Sequence, residues 1–142
     1  MRTAIFALCC CLTPLAAQAQ SYRAVNHLYV VPLNSTDFEV IESRGKGPRG
    51  IWCAAADYAD RFLHKAKGNR IYVKTARGPS MSGVGRTGVV FTIDPRNLNT
   101  STSYSLSVRQ AGLGLPVDHA IQFCRDEIIE REDVIFLRRG DS

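Results

Sequence analysis

The densest concentration of residues able to do chemistry is the run Arg-Gly-Pro-Ser-Met-Ser-Gly-Val-Gly-Arg-Thr-Gly, from Arg77 to Gly88. Two hydroxyls, Ser80 and Ser82, stand between two guanidinium groups, Arg77 and Arg86. Gly83 and Gly85 allow positive φ and a close backbone approach to a ligand. Arginine beside a glycine-rich turn of backbone N–H groups is a chemistry suited to phosphate or carboxylate. Arg77, Ser80, Ser82, Gly83, Gly85 and Arg86 are therefore the candidate ligand-binding set, and an anion is the ligand they suit.

Within this run, Gly83 to Gly88 resembles the end of the protein tyrosine phosphatase signature, His-Cys-x-x-Gly-x-x-Arg-Ser/Thr. The resemblance implies a cysteine thiolate six residues before the arginine, on a loop that leads from a strand into a helix. Here that position is Ser80 and the preceding one is Pro79. Val89 to Ile93, after the motif, is β-branched and aromatic, which favours a strand over a helix. The nucleophile and the helix dipole are both lacking, so the phosphatase match is coincidental. The expected form is a ten-residue connection, Arg77 to Arg86, between antiparallel strands. Long loops carry function more often than short ones, which keeps this loop the foremost binding candidate.

The remaining chemistry is sparse. His27, His64 and His119 form no close pair and no Cys/His cluster, so neither a metal nor a cofactor is expected. His119 adjoins Asp118, but neighbouring residues on a helix point about 100° apart and make no ready dyad. Asp57 and Asp60 share a helix face with Arg61 and read as a solvated surface. Cys53 and Cys124 are the cysteines left once the first 19 residues are set aside. They lie far apart in sequence, as a structural disulfide does, and not as a C-x-x-C redox pair.

Those first residues have their own pattern. Met1-Arg2 precedes an uncharged, mostly apolar run from Ala4 to Ala17, and Ala17-Gln18-Ala19 is a small-x-small cleavage site. Residues 1–19 read as a secretory signal peptide, taking Cys9, Cys10 and Cys11 with them. No second apolar run of bilayer length follows, so no transmembrane anchor is expected. A periplasmic or secreted location agrees with a disulfide and makes nucleic acid an improbable partner. The whole chain has 142 residues and a formal net charge of +5. The charge is uneven: Arg44 to Arg96 holds eleven Lys/Arg against three Asp, whereas Val117 to Asp133 is acidic. If the loops Arg44–Gly50 and Arg77–Arg86 meet, they make an anion-attracting surface.

The elements that must position these groups follow from periodicity. His27–Leu33 and Asp37–Ser43 read as strands of a hairpin. Ile51–Lys67 repeats apolar residues at helical spacing and ends on lysines before Gly68. Arg70–Ala76, Gly88–Asp94 and the alternating Ser103–Arg109 read as further strands. Asp118–Arg131 reads as a second helix, and Asp133–Arg139 as a strand or an extended tail. The order is that of an α+β domain over residues 20–142, with a mainly antiparallel sheet of about five or six strands. The two helices carry Cys53 and Cys124, which would join them.

The segments Phe38–Phe62, Arg70–Ser80, Gly85–Pro95 and Ser103–Ala120 resemble a group of small exported proteins of alphaproteobacteria. That resemblance implies export and one compact domain and carries no catalytic residues. The reading is a non-catalytic binding or interaction domain, for an anionic ligand or an envelope protein. The alternative is a hydrolase with a site near Arg86.

Overall fold

The computed structural model describes residues 20–64, 68–101, 103–125 and 129. Six strands form one antiparallel sheet: β1 (Tyr22–Arg23), β2 (Tyr29–Pro32), β3 (Asp37–Ile41), β4 (Arg70–Pro79), β5 (Thr87–Thr92) and β6 (Gly114–Pro116). Their spatial order is β1-β2-β3-β5-β4-β6. The hairpin β4–β5 is thus inserted so that β3 and β5 share the centre. Helix α1 (Gly47–Arg61) crosses one face, and a short helix α2 (Val117–Ala120) runs on into a 3-10 turn, Ile121–Cys124. The α+β class and the two-helix arrangement are those the periodicity implies.

The sheet is built on period-two alternation. Phe38 pairs with Phe91 and Val40 with Val89, and all four are buried on the helix side. Ile71, Val73, Val30 and Leu115 extend that surface. Trp52 of α1 meets Phe91 edge-on at 4.9 Å, and Tyr58 packs on Phe38 at 4.7 Å. Every residue from Gly50 to Ala59 is buried. The run Ala54–Ala56 and Ala59 lets chain approach the helix from several sides at little steric cost. Cys53 and Cys124 are bonded, which pins the 3-10 turn to α1. Asp57, also buried, accepts hydrogen bonds from the Tyr22 hydroxyl at 2.8 Å and the Val25 amide at 2.9 Å, and pairs with Arg61. It is a structural anchor for the N-terminal segment, not part of a solvated face.

Several boundaries differ from the sequence expectation. α1 begins at Gly47, a turn before Ile51, because Pro48 suits a first helical turn. Arg44 and Gly45 take positive φ just ahead of it, as does Gly47 at its first position. It ends at Arg61 and not at Lys67; residues 65–67 lie outside the described residues. β4 runs on to Pro79, with irregular register between Val73 and Gly78, so the expected ten-residue connection shrinks to Ser80–Arg86.

The clearest correction concerns Ser103–Arg109, which joins no ladder and bends at Val108 and Arg109. The hydroxyls of Ser101, Ser103, Ser105 and Ser107 each accept the N–H two residues ahead, at 3.2–3.4 Å. These side chains take the amides a strand would offer its neighbour. Alternation alone did not reveal that competition. The run is held by the Trp52 indole N–H on the Leu106 carbonyl and by the Arg77 amide on the Val108 carbonyl. Gly114–Pro116 supplies the sixth strand instead. The second helix is described through Arg125, with a 3-10 turn inside the expected span; the rest of that span, apart from Ile129, and Asp133–Arg139 lie outside the described residues.

Candidate functional site

The β4–β5 loop, Ser80–Arg86, meets the outer face of the sheet, the face away from α1. Alternation along β3 turns Glu39 to that face, opposite Val90 of β5. Its carboxylate sits beneath the loop and is 1 % exposed. The backbone N–H groups of Met81 and Ser82 donate to Glu39 Oε1 and Oε2, each at 2.9 Å. The Ser82 hydroxyl donates to Oε2 as well, and the Ser80 hydroxyl also bonds the carboxylate. Ser80 Oγ in turn accepts the Gly83 N–H at 2.8 Å. Burial alone would raise the Glu39 pKa. The Ser82, Met81 and Ser80 hydrogen bonds outweigh burial and hold the carboxyl below its usual range.

Two glycines make this possible. A Cβ on Gly88 would lie 2.3 Å from Glu39 Oε1. One on Gly83 would crowd Ile41, Ser80 and Arg86 at 3.0–3.3 Å. Gly85 turns the loop with φ of 72°. The loop therefore does cradle an anion with its amides and hydroxyls, and that anion is the chain's own Glu39.

The candidate residues divide between two acids. Ser80, Ser82 and Gly83 gather on Glu39, while Arg77 and Arg86 gather on Glu42. Arg77 Nε pairs with Glu42 Oε2 at 2.7 Å, and Arg86 Nη2 reaches the Glu42 carbonyl at 3.3 Å. The Glu42 amide donates to the Thr87 carbonyl, which fixes this end of the sheet. Glu42 leads directly into Ser43 and Arg44, so both basic glycine-rich loops lie at the same end. Arg109 belongs here too, because the Val108 carbonyl accepts the Arg77 amide. Arg44, Arg77, Arg86 and Arg109 are all exposed. Val84 projects fully into solvent at the loop tip.

Further along the outer face is a cleft of about 360 Å³, between Leu33, Lys74, Met81 and Val90. Lys74 pairs there with Asp37, which also accepts from Asn34 at 2.9 Å. Burial opposes ionisation of Asp37, but hydrogen bonds from Lys74, Thr92 and Asn34 prevail and bring its pKa down to about 2.

Glu39, Glu42 and Gly88 are the site residues that motif reading missed. Glu39 and Glu42 lie in a segment recognisable as a strand, and nothing local indicates that β5 is its neighbour. The histidines lie elsewhere: His27 in the β1–β2 turn, His64 beyond α1, and His119 against Tyr104 and Phe123. Among the described residues no helix is long and apolar enough to cross a membrane. No protein-family model, curated protein or solved structure matches the chain.

Proposed function

We propose that the chain is an exported, non-catalytic binding domain whose basic end engages an acidic surface on an envelope protein. The observation that carries this reading is the pairing of Arg77 and Arg86 with Glu42, with exposed Arg44 two residues further along the chain and exposed Arg109 next to the Val108 carbonyl that accepts the Arg77 amide. Exposed like charges gathered on one end raise the encounter rate with an oppositely charged partner and set its orientation. The loop between them is anchored from below by Glu39, so it meets a partner already ordered and loses little entropy on binding. Val84 at its tip adds apolar contact.

A hydrolase at this site lacks support from the same geometry. Ser80 and Ser82 bond a carboxylate whose pKa is lowered, and such a group is a weak proton acceptor. Arg86 is engaged with the Glu42 carbonyl and stands in the open.

The test is affinity capture from the native envelope, with wild-type protein and an Arg44→Glu/Arg86→Glu double variant compared at low and high salt. An acidic partner should be retained by the wild type, released by salt, and bound at least about tenfold more weakly by the variant. Equal capture by both proteins, indifferent to salt, would refute the reading.

A further inference from the structure

A second cleft lies at the opposite end of β4 from the arginine cluster. It is open and measures about 530 Å³, with walls from Arg70, Tyr104, Pro116, Asp118, His119 and Gln122. Its side chains are held in place by their own contacts. Arg70 Nη2 donates to the Gly114 carbonyl at 2.8 Å. Gln122 Nε2 donates to the Asp118 carbonyl at 3.2 Å, which leaves the Gln122 side-chain oxygen as an acceptor. Asp118 Oδ1 accepts the His119 amide at 3.0 Å, and Oδ2 remains for a ligand.

Tyr104 is unusual for so large a ring, being 68 % exposed. It is nonetheless braced. His119 meets it edge-on at 5.9 Å, Phe123 meets His119 at 88° and 5.5 Å, and Arg49 lies over Phe123 at 5.2 Å. The ladder keeps the phenol ring standing at the cleft rim.

Among the described residues lining the cleft, Arg70 stands against Asp118, in contrast to the arginine cluster at the other end of β4. An anion gains little from such a pair. No three His, Cys, Asp or Glu gather to bind a metal among the described residues. What the cleft offers is a set of fixed, planar donors and acceptors beside one exposed aromatic face. Sugar hydroxyls donate and accept together, as these guanidinium, carboxylate and amide groups require. The C–H face of a sugar ring is the apolar surface that an open aromatic ring can cover. The volume lies within the range of small-ligand sites, about 300–1,000 Å³.

We infer that this cleft binds an uncharged oligosaccharide, with Tyr104 as the stacking platform and Arg70, Asp118 and Gln122 as partners of its hydroxyls. The site is independent of the basic end and stands whether or not that end binds a protein. An open, wet cleft implies weak binding, in the high micromolar to millimolar range.

The experiment titrates the purified protein with chitotriose, cellotriose and maltotriose and follows backbone amide NMR signals. At least one trisaccharide should shift the amides of Arg70, Tyr104, His119 and Gln122 saturably at millimolar concentration. Tyr104→Ala, at an exposed position that leaves the fold intact, should weaken that binding about tenfold or more. Tyr104→Phe should bind within about threefold of wild type. Inorganic phosphate should leave these four signals unmoved. The inference is overturned if no trisaccharide shifts them, if Tyr104→Ala binds as wild type, or if phosphate occupies the cleft.

Discussion

Replacing Glu39 by glutamine keeps the size of the side chain and removes its charge. In the wild type the carboxylate accepts two backbone N–H groups and is bonded by the Ser80 and Ser82 hydroxyls. Glutamine offers one oxygen to these donors and turns an NH₂ toward the rest. About two of the four interactions are lost, each a hydrogen bond to a charged group of roughly 1.5–3 kcal/mol. The expected destabilisation is about 3 kcal/mol, seen as a fall in melting temperature of roughly 10 °C. The loop should respond more than the core, so amide exchange at Met81 and Ser82 should accelerate beyond the global change. Gly88→Ala should reproduce the loop effect, because its Cβ would stand 2.3 Å from Glu39 Oε1. The pH dependence has a definite sign. The folded-state pKa of Glu39 is lowered, so its contribution is present above the usual carboxylate pKa and is lost as pH falls through the folded value. The stability gap between wild type and Glu39→Gln should therefore narrow in acid. A variant within about 0.5 kcal/mol of wild type at neutral pH, with unchanged exchange at Met81 and Ser82, would refute this account of the loop.

Three other perturbations test other parts of the molecule. Cys53→Ala with Cys124→Ala opens a link across 71 residues, and calorimetry should show a loss of about 4 kcal/mol, matched by adding reductant to the wild type. Asp37→Asn should cost about 2 kcal/mol at neutral pH, and denaturant titrations should show the difference shrinking as pH falls from about 4 to about 2, where wild-type Asp37 takes up its proton. Gly112→Ala should fold poorly or lose more than about 3 kcal/mol, because φ is +88° and the added Cβ would meet the Asn99 carbonyl oxygen at 2.0 Å; a wild-type melting curve would contradict the local backbone path.

Legibility in the sequence followed the range of the interactions. The core of α1 was readable because Ile51, Ala55, Tyr58 and Ala59 repeat at a period that neighbours alone determine. β3 was readable as the second strand of a hairpin, and β5 from its β-branched and aromatic run. The disulfide followed from there being two cysteines once residues 1–19 are set aside. Ser103–Arg109 misled because its alternation in sequence is not matched by burial: Tyr104 and Val108 belong to one period-two face, yet Val108 is buried and Tyr104 exposed. The serines that complete the alternation also consume the amides, and period-two patterning is blind to that. The Ser80–Arg86 loop was legible as a connection between two strands, but its contents depend on β3 lying next to β5. That pairing is non-consecutive and leaves no local trace.

The same pairing accounts for the look of the Ser80–Arg86 loop. Glycines, small hydroxyls and an arginine are what any loop needs to wrap amides around a buried anion. They do not say where the anion comes from. In a phosphate-binding loop the charge arrives with the ligand, so the loop must stay open to solvent. Here it arrives from Glu39 on the adjacent strand and lies closed off beneath Met81 and Ser82. The arginines are then released from the duty such a motif assigns them. Arg77 and Arg86 turn to Glu42 and, with Arg44 and Arg109, to the exterior. An enclosed anion makes the loop rigid, and a rigid loop gives the arginine cluster a fixed geometry. Its Glu39→Gln variant should therefore bind an acidic partner more weakly even though no arginine has changed.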